Sequence, residues 1–505
     1  MRGFSTIEIL IAMGLIVSTL TAVALVSFGD QTLLADTASD AGAVMRAQTL
    51  LEVEYGNARK DFRLVENIPE SLDGVYQDEL VVGDYAPDPF TTKHVAAIVN
   101  WTDQAHHNHS VTLTQLITDF IDPRTLDTCD SALSGDWHVP QSTTYALTPG
   151  DLLPTTPPIG HTFSVTNPIA SIDAYKGKLY VGVSKTASAG NDSLVVFDAA
   201  NPTMKPRYLG SIDNNTAVIE GVSGLVVADA TLYAANTHVS NFKTCKPSAN
   251  CSQLQIFDVS DPTAIPQPSN FLIPTSSTPF VTGTSSSQAL GNSIFYKDGY
   301  VYLGLSKTAT GPEFNIIDVH DPHTPKWVGG FTIGWSINQI YVRDGYAYLA
   351  TDDKSRELVI LDVHDKTHPT LAATFDPTGT LGYEVGKSIY ARGDDLFFGM
   401  SSATGSPELY TFSIAHPAIP LKTGHYTIGS TILDSFARDS TLFILASTIG
   451  QFQMLDISDV SAIKQYAPSL TLPGIGAGLD CEGNYFFVGS NAGTQGWVSI
   501  IGPHL

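Results

Sequence analysis

The sequence predicts a mainly β protein, in which a long N-terminal α-helix and a small β section precede seven four-stranded repeat units. Three observations predict it. The chain opens with a run from Ile9 to Phe28 that carries no charge. A proline-free stretch rich in Ala, Leu, Glu and Arg continues to about residue 66. Two short phrases then recur seven times each through the remainder.

Composition sets the outer limits. A chain of 505 residues is too long for one hydrophobic core, so several domains are expected. Hydrophobic residues make up 43% and charged residues 15%, with 42 Gly and 29 Pro, which excludes wholesale disorder and favours a turn-rich globular fold. The formal charge of −24, without any cluster of Lys and Arg, repels phosphate backbones. Nucleic acid is therefore not an expected partner.

The uncharged run comes first. At about 1.5 Å per residue it makes roughly 30 Å of apolar helix, the thickness of a bilayer core. An ordinary secretory signal has a longer basic region, a shorter apolar core and small residues after it, and this segment fits poorly. Met1-Arg2-Gly3 followed by Phe4-Ser5-Thr6-Ile7-Glu8 resembles the class III leader of type IV prepilins. The resemblance implies cleavage between Gly3 and Phe4 by a prepilin peptidase and N-methylation of Phe4. It also implies that Glu8, a carboxylate costly to bury unless paired, meets the N-terminal amine of a neighbouring subunit. An uncleaved signal anchor is the competing expectation. Beyond Phe28, Leu34, Val44, Leu51 and Phe62 keep a loosely helical period, so the same helix is expected to continue.

From Ile68 to Gln141 short strands are expected, the clearest being His94 to Trp101 and His109 to Phe120, which alternate apolar and polar positions. His106, His107 and His109 fall in or beside the turn between them and lack a spaced fourth ligand, so a solvated hairpin is expected rather than a metal centre. The section is similar to the head segments of pilin-like proteins.

The repeats follow. LVVFDAANP (Leu194), LQIFDVSDP (Leu254), FNIIDVHDP (Phe314), LVILDVHDK (Leu358), LYTFSIAHP (Leu409), FQMLDISDV (Phe452) and WVSIIGPHL (Trp497) are copies of one phrase. Their Asp-equivalent positions are 60, 60, 44, 51, 43 and 45 residues apart, the repeat length of four-stranded propeller blades. A hairpin phrase precedes each, as in SIDAYKGKLYVG (Ser171) and SIFYKDGYVYLG (Ser293). The pattern resembles the LVIVD-repeat family of β-propellers over residues 142–505. The last blade then lacks a fourth strand, which is expected from within Ile159 to Val165 and would remove free sheet edges. The full division reads 1–3 leader, 4–28 apolar helix, 29–66 amphipathic helix, 67–141 pilin-like β section and 142–505 propeller.

In a blade with strands A to D, the A–B and C–D turns share one face, and the B–C and D–A connections share the other. The two longest insertions, Asn236 to Gln253 and Thr275 to Asn292, both belong to the second face. Long loops on one face of a repeat scaffold are where binding usually resides, so Asn236, Lys243, Thr275, Phe280 and Asn292 mark the expected ligand face; tolerated surface loops are the alternative.

Four cysteines are spread too thinly for a structural zinc site, and four buried thiols are one reading. A second pairs Cys245 with Cys251 inside the first insertion and Cys129 with Cys481 between the pilin-like section and blade seven. Both bridges would need an oxidising compartment.

Catalytic patterns are missing: no nucleophile elbow, HExxH, phosphate loop or complete EF-hand occurs. No cofactor or metal is expected, and no spacing of acids marks a Ca²⁺ site. His320, His323, His364 and His368 lie in C–D turns, and Arg392-Gly393-Asp394 in an A–B turn, so turn chemistry accounts for each. The resulting expectation is a non-enzymatic, pilin-like surface subunit whose propeller serves extracellular recognition or adhesion. It would be a membrane-held precursor, then part of a filament with other pilin-like subunits and an unknown extracellular ligand. A membrane-tethered propeller enzyme acting on glycan or peptide, and a type II secretion pseudopilin, are the alternatives.

Overall fold

The computed structural model describes residues 39–55, 58, 65, 67–73, 75–85, 88–102, 106–118, 129, 133–163, 168–184, 192–213, 220–238, 253–271, 273, 290–307, 311–377, 379, 384–438, 440–448 and 452–504. It divides into two compact units, Met1–Phe120 and Ile121–Leu505.

In the first unit an α-helix over residues 39–55, α1, packs on four antiparallel strands in meander order: β1 (Ile68–Asp73), β2 (Tyr76–Tyr85), β3 (Asp88–Thr102) and β4 (Asn108–Thr118). Ala43, Ala47 and Leu51, spaced by four, form the buried stripe of α1. The small side chains of Ala43 and Ala47 let the helix settle on Leu80, Val95, Ala97, Val99 and Ile117. Arg46 anchors the contact with a 2.7 Å ion pair to Asp78. The expected hairpin is present, with Trp101 opposite His109 in β3–β4 and the two rings stacked at 5.3 Å.

The expected long N-terminal helix is corrected here. The helix the structure describes is the short α1, and the chain is in strand by Ile68. Composition alone does not mark where the helix gives way to strand. Among the described residues no helix is long and apolar enough to cross a membrane. Gly3, Phe4 and Glu8 lie outside the described residues.

Among the described residues the second unit holds seven four-stranded antiparallel sheets. Blades 1 to 6 are, in A to D order, β6 (Ile169–Tyr175) to β9 (Arg207–Ile212), β10 (Glu220–Ala228) to β13 (Ser269–Phe271), β14 (Gly291–Lys297) to β17 (Lys326–Phe331), β18 (Ile337–Arg343) to β21 (Thr370–Phe375), β22 (Gly386–Arg392) to β25 (Leu421–Tyr426) and β26 (Ile432–Arg438) to β29 (Lys464–Leu470). Blade 7 is β30 (Ile475–Glu482), β31 (Tyr485–Ala492), β32 (Gln495–His504) and the upstream strand β5 (Asp136–Ala146). Each innermost strand touches the next around the circle, β30 meeting β6, which makes a closed propeller.

Closure differs from expectation in its strand. β5, not Ile159 to Val165, pairs with β32, Ser499 lying opposite Thr144. An outermost strand is largely solvent-exposed, so β5 shows no apolar alternation, and Pro140 within it further disguised it. Trp137 is its anchor, fully buried against Phe443 and Phe486. Cys129 and Cys481 form a disulfide, with Cα atoms 5.5 Å apart. Because Cys129 belongs to the second unit, the bridge fastens the propeller's own lead-in to blade 7 rather than the β section of the first unit.

Local chemistry explains the repeat. In five blades the Asp ending strand C (Asp198, Asp258, Asp318, Asp362, Asp456) accepts the amide two residues on at 2.9 to 3.3 Å. An Asn or Asp three residues later accepts the next such amide. These tandem side-chain turns fix the C–D connections of blades 1, 2, 3, 4 and 6. Blade contact also needs a small residue in strand B: a Cβ on Gly304 or Gly399 would meet the first isoleucine of the next innermost strand, Ile337 or Ile432, within 3.0 Å.

Candidate functional site

The propeller axis carries the most elaborate chemistry among the described residues. All seven A strands contain a β-bulge at the same place, just after their first inner residues, at Ile169/Ser171, Val222/Gly224, Gly291/Ser293, Ile337/Gln339, Gly386/Ser388, Ile432/Asp434 and Gly476/Gly478. A bulge re-aims the side chains that follow it. Counting every second residue onward gives three layers on one side of each strand.

The first layer reads Ser171, Gly224, Ser293, Gln339, Ser388, Asp434 and Gly478 from blade 1 to blade 7. The second reads Asp173, Val226, Phe295, Tyr341, Tyr390, Phe436 and Asp480. The third, beside the A–B turns, reads Tyr175, Ala228, Lys297, Arg343, Arg392, Arg438 and Glu482. Many of these side chains bond to the backbone of the following blade. Asp480 accepts from the Ala174 amide (2.6 Å) and Asp173 from the Val227 amide (3.0 Å). Tyr341 donates to the Ala391 carbonyl (2.8 Å) and Arg343 to the Gly393 carbonyl (2.9 Å). These bonds join neighbouring blades, so the polar axis is part of the structural frame.

A cavity of about 300 Å³ occupies the axis at the level of the first two layers, toward the D–A connections. Asp173, Asp434 and Asp480 line one arc of it, from blades 1, 6 and 7, and Phe295 and Tyr341 line another, from blades 3 and 4. Its lining contains no Lys or Arg. The basic residues of the third layer lie beyond it, nearer the A–B turns.

Of the sequence-predicted face, Asn292 stands at the bulge of β14, lines the cavity, and donates to the Ile337 carbonyl (2.7 Å). Asn236 lies in strand B of blade 2 opposite Val222. Lys243, Thr275, Phe280, Cys245 and Cys251 lie outside the described residues. The strand ends flanking both insertions, β11 (Thr231–His238), β12 (Leu254–Asp258), β13 and β14, put the insertions on the B–C and D–A face by topology.

The same face carries a series of buried glutamates just before strand C. Glu313 accepts from the Ile333 and Gly334 amides at 2.9 Å, and Glu408 from the Ile428 and Gly429 amides at 2.9 and 3.0 Å. Each pair of donors lies 20 and 21 residues further on. For Glu357 in blade 4 the first of those positions is Pro377, which has no N–H. Glu357 is 1% exposed, and its Oε2 has no hydrogen-bond partner among the described residues. Burial, with Asp376, Asp353 and Glu384 adding repulsion, pushes its carboxyl up to about 7.

One Ser–His–Asp grouping occurs in blade 1. Ser211 and His161 both bond to buried Asp192, and the Ser211 hydroxyl faces the same imidazole nitrogen, Nδ1, that faces the carboxylate. Activation of a serine needs the opposite nitrogen, and Ser211 is itself buried. Burial raises the Asp192 carboxyl, while Ser211 and His161 pull it back down. The grouping satisfies a buried acid rather than preparing a nucleophile.

The turn residues set aside in the sequence are likewise structural. The His320 and His364 rings bond to Asp318 and Asp362 at 2.8 Å and cover Gly299 and Gly345, whose positive φ completes the A–B turns. Arg392 of the Arg-Gly-Asp tripeptide is buried. Sequence reasoning missed the axial carboxylates. Aligning the seven hairpin phrases and reading down the column of Asp173 and Asp480 would have found them.

Comparison with known proteins gives a short account. The LVIVD repeat family matches residues 336–377, which span blade 4 from β18 to β21. No curated protein matches the sequence. Among solved structures, similarity extends to a candidate 6-phosphogluconolactonase from Bacteroides uniformis (10% identity, 78% of this chain and 96% of that one, TM-score 0.47). A catalytically inactive virginiamycin B lyase from Staphylococcus aureus, with quinupristin, is similar at 11% identity (72% and 100%, TM-score 0.46). A protein from Lactobacillus plantarum is similar at 11% (67% and 98%, TM-score 0.48). Blade 4 is an LVIVD repeat set within a seven-bladed β-propeller.

Proposed function

We propose that the protein is a pilin-like surface subunit whose propeller recognises an extracellular ligand through the face bearing the B–C and D–A connections. One observation carries the recognition half: the strand ends that flank the two long insertions and the axial cavity belong to the same side of the disc. Variable loops around a rigid scaffold, over a concave site, are where ligands bind.

The pilin-like half draws support from the leader-like sequence Met1 to Glu8 and from the first unit, in which α1 lies on an antiparallel meander. The Cys129–Cys481 disulfide suits an oxidising, extracytoplasmic setting. Mass spectrometry of the N-terminal peptide, from protein sheared off intact cells, tests this reading. A chain beginning at N-methylated Phe4 is the expected result. An intact Met1 or Arg2 terminus confined to the membrane fraction overturns the filament assignment and leaves a tethered propeller.

A further inference from the structure

We propose that the axial cavity binds an organic cation, an ammonium or guanidinium group that enters from the D–A side. The assignment deepens the reading of the propeller as a recognition module and rests on it, but it does not require a filament.

Charge distribution around the axis is the first argument. Three consecutive blades, 6, 7 and 1, present Asp434, Asp480 and Asp173 to a single cavity whose lining holds no basic residue. Their carboxylates are oriented before any ligand arrives. The Ala174 and Val227 amides hold Asp480 and Asp173. Gln339 and the Ser435 amide hold Asp434 at 2.8 and 2.9 Å. Held in place in this way, the acids lose little freedom on binding.

The opposite arc supplies the second argument. Phe295 and Tyr341, with ring centroids 5.3 Å apart, form an aromatic wall, and Phe295 is only half-buried. Aromatic faces attract cations, most strongly where water is partly excluded. Acids on one side and aromatic rings on the other make a pairing suited to a cation with apolar substituents.

Direction follows from the third layer. Lys297, Arg343, Arg392 and Arg438 sit between the cavity and the A–B turns of blades 3 to 6. Arg343 is committed to Asp344 (2.9 Å) and to the Gly393 carbonyl. Together they disfavour a cation at that end and leave the D–A side as its route. A volume of about 300 Å³ admits a small amine or one basic side chain, and a formal charge of −24 raises the local cation concentration.

Titration calorimetry on the purified full chain tests the proposal. Spermidine and tetramethylammonium serve as free cations and N-acetyl-arginine amide as a peptide side chain, with acetate and glucose as controls. Saturable binding of at least one cation, and of neither control, is expected. Asp480→Asn, which keeps an acceptor for the Ala174 amide, should weaken it about tenfold or more, as should Phe295→Leu, each with an unchanged melting midpoint. Binding of the free cations alone identifies a small-molecule ligand, and binding of the arginine amide alone identifies a partner's side chain; both support the site. No saturable binding by any cation overturns it, and so does equal binding by wild type, Asp480→Asn, Asp434→Asn and Phe295→Leu. A negative N-terminal mass-spectrometry result leaves this measurement untouched, so the two proposals fail separately.

Discussion

Pro377 stands where blades 3 and 5 place the first amide donor to a buried glutamate, and Glu357 is the glutamate that loses that donor. A one-residue change in backbone chemistry thus separates blade 4 from its neighbours. The carboxylate oxygen left alone there faces Asp376, Asp353 and Glu384, with Arg356 committed to Asp353 at 2.7 Å and Lys422 lying 3.4 Å from the Pro377 carbonyl.

The first prediction concerns Glu357 and pH. Its folded value, about 7, lies above the ordinary 4.5, so the folded state holds the proton more tightly. Stability is therefore greatest below about 4.5 as far as this group is concerned, falls as pH rises through 7, and is level above that. Glu357→Gln should raise stability by roughly 1–3 kcal/mol at pH 8 and flatten the slope between pH 5 and 7. Pro377→Ala, by restoring an amide, should also reduce the slope. Urea denaturation at a series of pH values measures both, and a slope unchanged in Glu357→Gln would show that other groups produce it.

The second prediction concerns the acid limit. Asp258, Asp318 and Asp456 are held below the usual carboxylate range, chiefly by side-chain hydrogen bonds from Ser260, His320 and Ser458. Lowered values give stability that is present above the unfolded pKa and is lost as pH falls through the folded one. Acid unfolding should thus steepen below about pH 4. In a variant with all three aspartates changed to Asn, thermal melting between pH 2 and 5 should depend less on pH; a wild-type-like profile would assign acid sensitivity elsewhere.

The third prediction concerns closure. The Cys129–Cys481 bridge spans 352 residues, and β5 is the strand that completes blade 7. Cys129→Ser with Cys481→Ser should cost about 2–5 kcal/mol. Trp137→Ala, which empties a fully buried site, should cost about 3–5 kcal/mol. Calorimetric melting with and without reductant separates the two, because Trp137→Ala should keep the part of the reductant response that comes from the Cys129–Cys481 bridge and the double serine variant should lose it.

Legibility in the sequence followed the range of the forces involved. The blades were readable because five of the C–D connections are built by an Asp reaching two residues ahead, as at Asp318 and His320, a signal contained in one phrase. β5 was not readable, since an exposed outer strand has no reason to alternate apolar and polar residues. The axial site was half readable: Asp173 and Asp480 stood in plain view, but nothing local says that residues 307 positions apart share a cavity. Glu357 needed more still, because the missing donor to its buried Oε2 traces to a proline 20 residues away in sequence.

Closure by β5 also has a consequence in time. The strand that completes the ring is made before every other strand of the seven blades, and its partner β32 follows more than 300 residues later. For as long as synthesis takes to reach β32, Trp137 and Cys129 must wait without their final neighbours. At the usual 5–20 residues per second that interval is on the order of tens of seconds. An unpaired strand edge and an unbridged Cys129 thiol therefore persist through that interval.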